Sequence, residues 1–185
     1  WDVTTGSNTV IVAVIDTGVL LNHPDLENRL TSDGYDFISD PARARDGDGI
    51  DPDPDDPGDG GPGGSSFHGT HVAGTIAAGT NNDTGVSGVA WFTRIMPLRA
   101  LSQRGGTDFD ILQAVRYAAG MENDSGTLPA QRADIINLSL GGSNFSQIAQ
   151  DLFTEVRAEG VITIAAAGNR ASSVPFYPAA YEGVL

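Results

Sequence analysis

The chain has no cysteine, few basic side chains and no long apolar run, and each shortage closes off a class of explanation. Without cysteine there is no disulfide, no zinc-thiolate centre and no thiol nucleophile, and the redox compartment stays open. Every apolar stretch falls far short of the roughly 20 residues that a spanning helix needs, so no membrane role is expected. Only 10 lysines and arginines stand against 24 aspartates and glutamates, a net charge of -14. A field of that sign repels phosphate and excludes a nucleic-acid partner, while it suits a salt-tolerant or cation-binding protein. Hydrophobic residues at 39% are ordinary for a globular fold. A length of 185 residues suits one domain over 1–185, able to bury about 70% of its unfolded surface. No internal repeat is visible.

Residues 10–15 are six continuous apolar positions, the pattern of a strand covered on both faces. Residues 94–98, 135–138 and 161–166 suggest three more strands, although Pro97 argues against the first of these because it offers no ladder N–H. Thr107 can cap a helix with Ile111, Leu112, Val115, Ala118 and Ala119 inward, and Asp110 stands where a capping box needs its acid. Ser146 can cap another, with Ile148, Ala149, Leu152, Phe153 and Val156 inward and Gly160 as its stop. Ala-rich residues 71–78 read as a buried helix. This alternation predicts an α/β fold, a doubly wound parallel sheet with helices on both faces. In such sheets ligands bind beyond the carboxyl ends of the strands. Residues 46–64 break the pattern: seven aspartates, with glycines and prolines, and Ile50 as the one other apolar side chain. That composition predicts a surface loop.

Three polar groups fall where the ligand site should lie. Asp16 leaves the first strand in Ile15-Asp16-Thr17-Gly18, where a carboxylate persists only if hydrogen-bonded or paired. It reads as turn chemistry, or as half of an aspartic-protease pair that would require a dimer. His68 opens a helix in Phe67-His68-Gly69-Thr70-His71-Val72-Ala73-Gly74-Thr75, whose N-terminus disfavours imidazolium and leaves a neutral base. Packed histidines, or a metal pair with His71, are the other readings. Asn169 follows Ala165-Ala166-Ala167-Gly168 and can either close a turn or donate to a developing oxyanion.

Taken together, Asp16-Thr17-Gly18, the histidine string and Ala165 to Asn169 resemble the subtilisin-like serine proteases, the subtilase family (peptidase S8). Asn137-Leu138-Ser139-Leu140-Gly141-Gly142 is similar to the family's substrate-pairing strand, and Tyr177-Pro178-Ala179 to part of its first specificity pocket. The resemblance implies a serine endopeptidase in which Asp16 orients His68, His68 is the general base, and Asn169 stabilises the oxyanion. Substrate would lie as an extended strand against Ser139, Leu140 and Gly141, against Gly105 and Gly106, and near Ala166 and Gly168. It also implies secretion, an N-terminal propeptide and a monomer. The family's Gly-Thr-Ser-Met-Ala-like nucleophile string is absent and would fall after Asn169. The expectation is therefore a catalytic domain incomplete at both ends, inactive by itself.

The resemblance extends to calcium. Asp25 and the loop 80–86 are similar to the family's tight site, with Asp25 and Asn82 ligating by side chains and Thr80, Thr84 and Val86 by carbonyls. Asp46, Asp48 and Asp51 begin like a calcium loop but lack an acid at the twelfth position, where Pro57 stands. Seven like charges repel, so that loop is either solvated or ordered by calcium. A non-catalytic calcium-binding domain is the competing reading.

Overall fold

The computed structural model describes residues 1–58, 60 and 65–185. Five parallel strands run in the order β2-β3-β1-β4-β5: β1 Ile11–Asp16, β2 Tyr35–Asp36, β3 Arg94–Arg99, β4 Ile135–Leu138 and β5 Ile162–Ala165. Every residue of β1 is buried, as its unbroken apolar run requires in the centre of a covered sheet. Pro97 sits inside β3 after all. Ile95 and Arg99 turn their backbone groups to the outer side, toward Arg29, Thr31 and Phe37, so the Pro97 nitrogen faces the same way. Pairing with β2 begins only at Tyr35 with Leu98, which leaves no bond at that point for the proline to forfeit.

Helix α2 (His68–Ala77) packs on β1 and β3 through Ala73 and Ala77, whose small side chains let it approach closely. Helices α3 (Asp108–Ala118) and α4 (Gln147–Ala158) cover the opposite face over Ile15, Met96, Leu98, Ile136 and Leu138. Each large apolar side chain sealed there contributes about 1.5–3 kcal/mol. A short helix α1 (Pro41–Ala44) precedes the acidic segment.

Both caps form: Thr107 accepts from the Asp110 N–H at 3.0 Å and Ser146 from the Ala149 N–H at 3.4 Å. Three local expectations fail. Asp110 does not reach back to close a capping box; it is buried and accepts from the Ser39 N–H at 3.2 Å. Ile148 is 74% exposed, because the buried stripe of α4 runs through Ala149, Leu152, Phe153 and Val156. The acidic segment is not wholly a surface loop. Pro54, Asp56 and Gly58 are buried, Ile50 packs on the core, and Asp51 and Asp55 make bridges to Asp36 and Val19. Residues 59 and 61–64 of that segment lie outside the described residues.

Candidate active site

The sequence-predicted site groups leave the carboxyl ends of the strands: Asp16 from β1, Ser139 from β4, Ala166 to Asn169 from β5. His68 enters from the first position of α2, after Phe67, which takes a left-handed conformation at φ 45°. Its Nδ1 stands 2.8 Å from Asp16 Oδ1 and 2.9 Å from Oδ2. Asp16 is completely buried, whereas the His68 side chain is 46% exposed. The bond to Asp16 holds the proton on Nδ1 and leaves the Nε2 lone pair turned to the open side. Burial raises the Asp16 carboxyl above its usual range; the bonds from His68 and the Thr17 N–H pull it back, and the Asp56 carboxylate pushes it further up.

This pair rests on further polar contacts. The Thr17 N–H donates to Asp16 Oδ1 at 2.7 Å. Thr17 Oγ1 accepts from the Gly69 N–H at 3.0 Å and donates to Asp56 Oδ2 at 2.7 Å, while Asp56 Oδ1 accepts from the Gly58 N–H at 2.8 Å. Gly69 has to be glycine: a Cβ there would lie 2.2 Å from Gly18 O and 3.0 Å from Asp16 Cβ. Neither Thr17 nor Asp56 was singled out from the sequence. The Asp-Thr-Gly string contained the threonine, but its acidic partner lies 39 residues away in a stretch whose composition suggests solvent.

A cleft of about 460 Å³ is lined by Ser139, Leu140 and Gly141 and by Gly105 and Gly106; Leu101, whose N–H donates to Asp16 O at 3.0 Å, also lines it and joins it to the pair. No backbone bond among the described residues engages Ser139, Leu140 or Gly141, so that edge is free to pair. The Gly105 edge is not. Its N–H donates to Ser102 O, and its carbonyl accepts from the Ser102 N–H, Ser102 Oγ and Arg43 Nη2. Gly106, by contrast, makes no backbone bond among the described residues. Ala166 donates its N–H to Leu138 O at 3.0 Å, and Gly168 turns the chain at φ 91°. Asn169 is exposed, with no hydrogen bond among the described residues.

These features together set a histidine on a buried carboxylate, with a cleft edged by free backbone nearby. The sequence profile of the subtilase family matches residues 7–185. The chain belongs to that family. An extracellular protease of Xanthomonas campestris is 45% identical over 185 residues, 94% of this chain and 31% of that protein. A thermophilic serine proteinase of Bacillus sp. strain AK1 is 43% identical over 186 residues, all of this chain and 39% of its own length. Among solved structures, a protease from Pseudoalteromonas arctica superposes with a TM-score of 0.92 at 41% identity, over the whole chain and 57% of that protein. The chain thus spans from 31% to 57% of the length of these relatives.

The two candidate cation sites differ in how well they fit. Asp25, 3% exposed, accepts from the Val86 N–H at 2.8 Å and from Asn82 Nδ2 at 3.3 Å. The other edge of the Asn82 amide faces carbonyls: turned over, its nitrogen would donate to Gly79 O at 3.2 Å and Thr84 O at 3.1 Å. With the amide oxygen on that edge, several oxygens converge, as they do around a hard cation. Gly79 thus joins the group; the Thr80 hydroxyl bonds Ala78 O and Ser87 and the Val86 N–H bonds Asp25, contacts that leave the carbonyls of both residues unengaged among the described residues. In the acidic segment, carboxylate oxygens of Asp36, Asp46 and Asp51 lie within 4.8 Å of one another, an arrangement that could hold a metal ion. Asp48 is not part of that cluster, and the guanidinium of buried Arg99 already bonds both Asp36 and Asp46. That site is therefore partly neutralised from within. Among the described residues no helix is long and apolar enough to cross a membrane.

Proposed function

We propose that this chain forms the larger part of the catalytic unit of a secreted serine endopeptidase. The buried Asp16 bonded to His68, with Nε2 left open, carries the reading. His68 Nε2 takes the proton of a serine hydroxyl supplied by the remainder of the unit as that oxygen attacks the peptide carbonyl, and later returns it to the leaving amine. Asp16 keeps the imidazole in the tautomer that can do this and stabilises the imidazolium. Asn169 donates to the oxyanion; subtilisin is the known example of such an asparagine, where its loss costs roughly 10²–10³ in turnover. Substrate lies extended between Ser139–Gly141 and Gly106. Calcium is the inferred cofactor, held by Asp25, Asn82 and carbonyls of Gly79 and Thr84, with Asp46 and Asp51 a weaker second set; it ties loops together and takes no part in the reaction. The word extracellular in a relative's name supports secretion, and a propeptide and a monomeric state complete the reading.

The test is labelling of the gene product that carries this chain with a fluorophosphonate probe. Covalent labelling with peptide hydrolysis, both lost in His68→Ala while the fold persists, is the expected result. A folded protein that takes no label refutes the reading and favours a non-catalytic calcium-binding domain.

A further inference from the structure

The walls of the cleft form a pocket that is mostly apolar: Ile111, Leu140, Phe153, Tyr177 and Tyr181 line it. The aromatic residues form one cluster, with the rings of Tyr177 and Tyr181 at 4.6 Å and those of Phe153 and Tyr181 at 5.5 Å. Among the described residues that line the pocket, Asp108 alone is charged. Its carboxylate takes part in no hydrogen bond or ion pair with a described residue, yet it stands close to Tyr181. Burial raises the Tyr181 hydroxyl above its usual range, and the Asp108 charge adds to that shift. Among the described residues that line the pocket none is basic, so none neutralises this carboxylate.

A purely apolar pocket would select a leucine or a phenylalanine. A carboxylate without a partner at its rim changes that, because an apolar side chain seated there would turn the charge away from water and give nothing in return. A long side chain with an aliphatic stem and a cationic tip satisfies both halves: the stem lies on Leu140 and Ile111, and the tip meets the carboxylate and the tyrosine ring faces. We propose that this pocket takes a lysine or arginine side chain of the extended substrate, with Asp108 as the residue that sets the preference. The assignment rests on the protease reading above. Asp108 also stands in the first turn of α3, where a carboxylate suits the helix dipole. That role would affect stability but not which peptide is cut.

The experiment uses the gene product carrying this chain and peptides with one scissile bond. Each position before the bond is replaced in turn by lysine, arginine and norleucine, which has nearly the stem of lysine without the charge. Because Asp108 is exposed and the pair is partly screened, the expected preference for the basic residues is about three- to tenfold in kcat/KM, at one position only. Asp108→Asn should bring that ratio close to one, and Asp108→Glu should retain it. Hydrolysis with norleucine equal or better at every position, or a ratio unchanged in Asp108→Asn, overturns the assignment and leaves the protease reading intact. Absence of both fluorophosphonate labelling and hydrolysis overturns the two together.

Discussion

Thr17 uses one hydroxyl for two purposes, accepting from Gly69 at the start of α2 and donating to Asp56. Each bond joins groups that are buried, so removing the hydroxyl leaves a backbone N–H without a partner and a carboxylate with one fewer donor. Thr17→Val, close in volume, should cost about 1–3 kcal/mol for each orphaned group, read as a lower melting temperature. It should also lower kcat more than it changes KM, because His68 is carried by the helix that Gly69 anchors. A Thr17→Val enzyme with wild-type kcat would show that the contact is structural only. The same logic separates His68 from its neighbour: His68→Ala should abolish hydrolysis and leave the far-UV spectrum unchanged, whereas His71 is exposed on α2 and forms no hydrogen bond or ion pair with Asp16.

At the scale of elements, strands and helices were legible where one physical signal dominated. The unbroken apolar run of β1 needed no context, and Thr107 and Ser146 marked helix starts through chemistry confined to three residues. The two-residue β2 had no such signal. Its pairing with β3 is set by Arg99, whose guanidinium bonds Asp36, Asp46 and the Ala44 carbonyl, partners scattered along the chain. The acidic segment misled for the same reason: Asp56 is buried because Thr17 and Gly58 receive it, and composition cannot show that. At the proposed catalytic site the sequence pointed to Asp16, His68 and Asn169 but not to the Asp56 carboxylate behind the first two. Asp36 also yields a prediction for pH. Burial raises its carboxyl to about 8, with the Ile38 N–H and Arg99 opposing and Asp46 adding to the rise. The folded state therefore keeps a proton that the unfolded chain releases above its ordinary value of 3.8. This contribution is complete at lower pH and is lost as pH climbs toward about 8. Melting curves of wild type and Asp36→Asn should accordingly diverge with rising pH, the wild type losing ground. Parallel curves would refute it.

For the whole molecule, charge and cation binding are linked. A net charge of -14 makes the compact state repel itself, so any bound divalent cation relieves strain beyond its own ligands. A ligand present at about 100 times its Kd stabilises by about 2.7 kcal/mol, roughly 5–10 °C in melting temperature for a domain of this size. Chelation should lower the melting temperature by that order and added calcium should restore it. Asp25→Asn should reduce the response, and a melting temperature indifferent to chelator would remove both proposed sites.

The bridges from the acidic segment have a consequence in time. Asp51 meets Asp36, Asp55 meets Val19 and Asp56 meets Thr17, all across loops rather than between neighbouring turns. Loop closure of this kind comes after local structure, since its entropy must be met before the contact exists. During refolding, helices and the central strands should thus recover first. The bed beneath Asp16 is completed only when that segment docks, so catalytic competence should lag behind helical content.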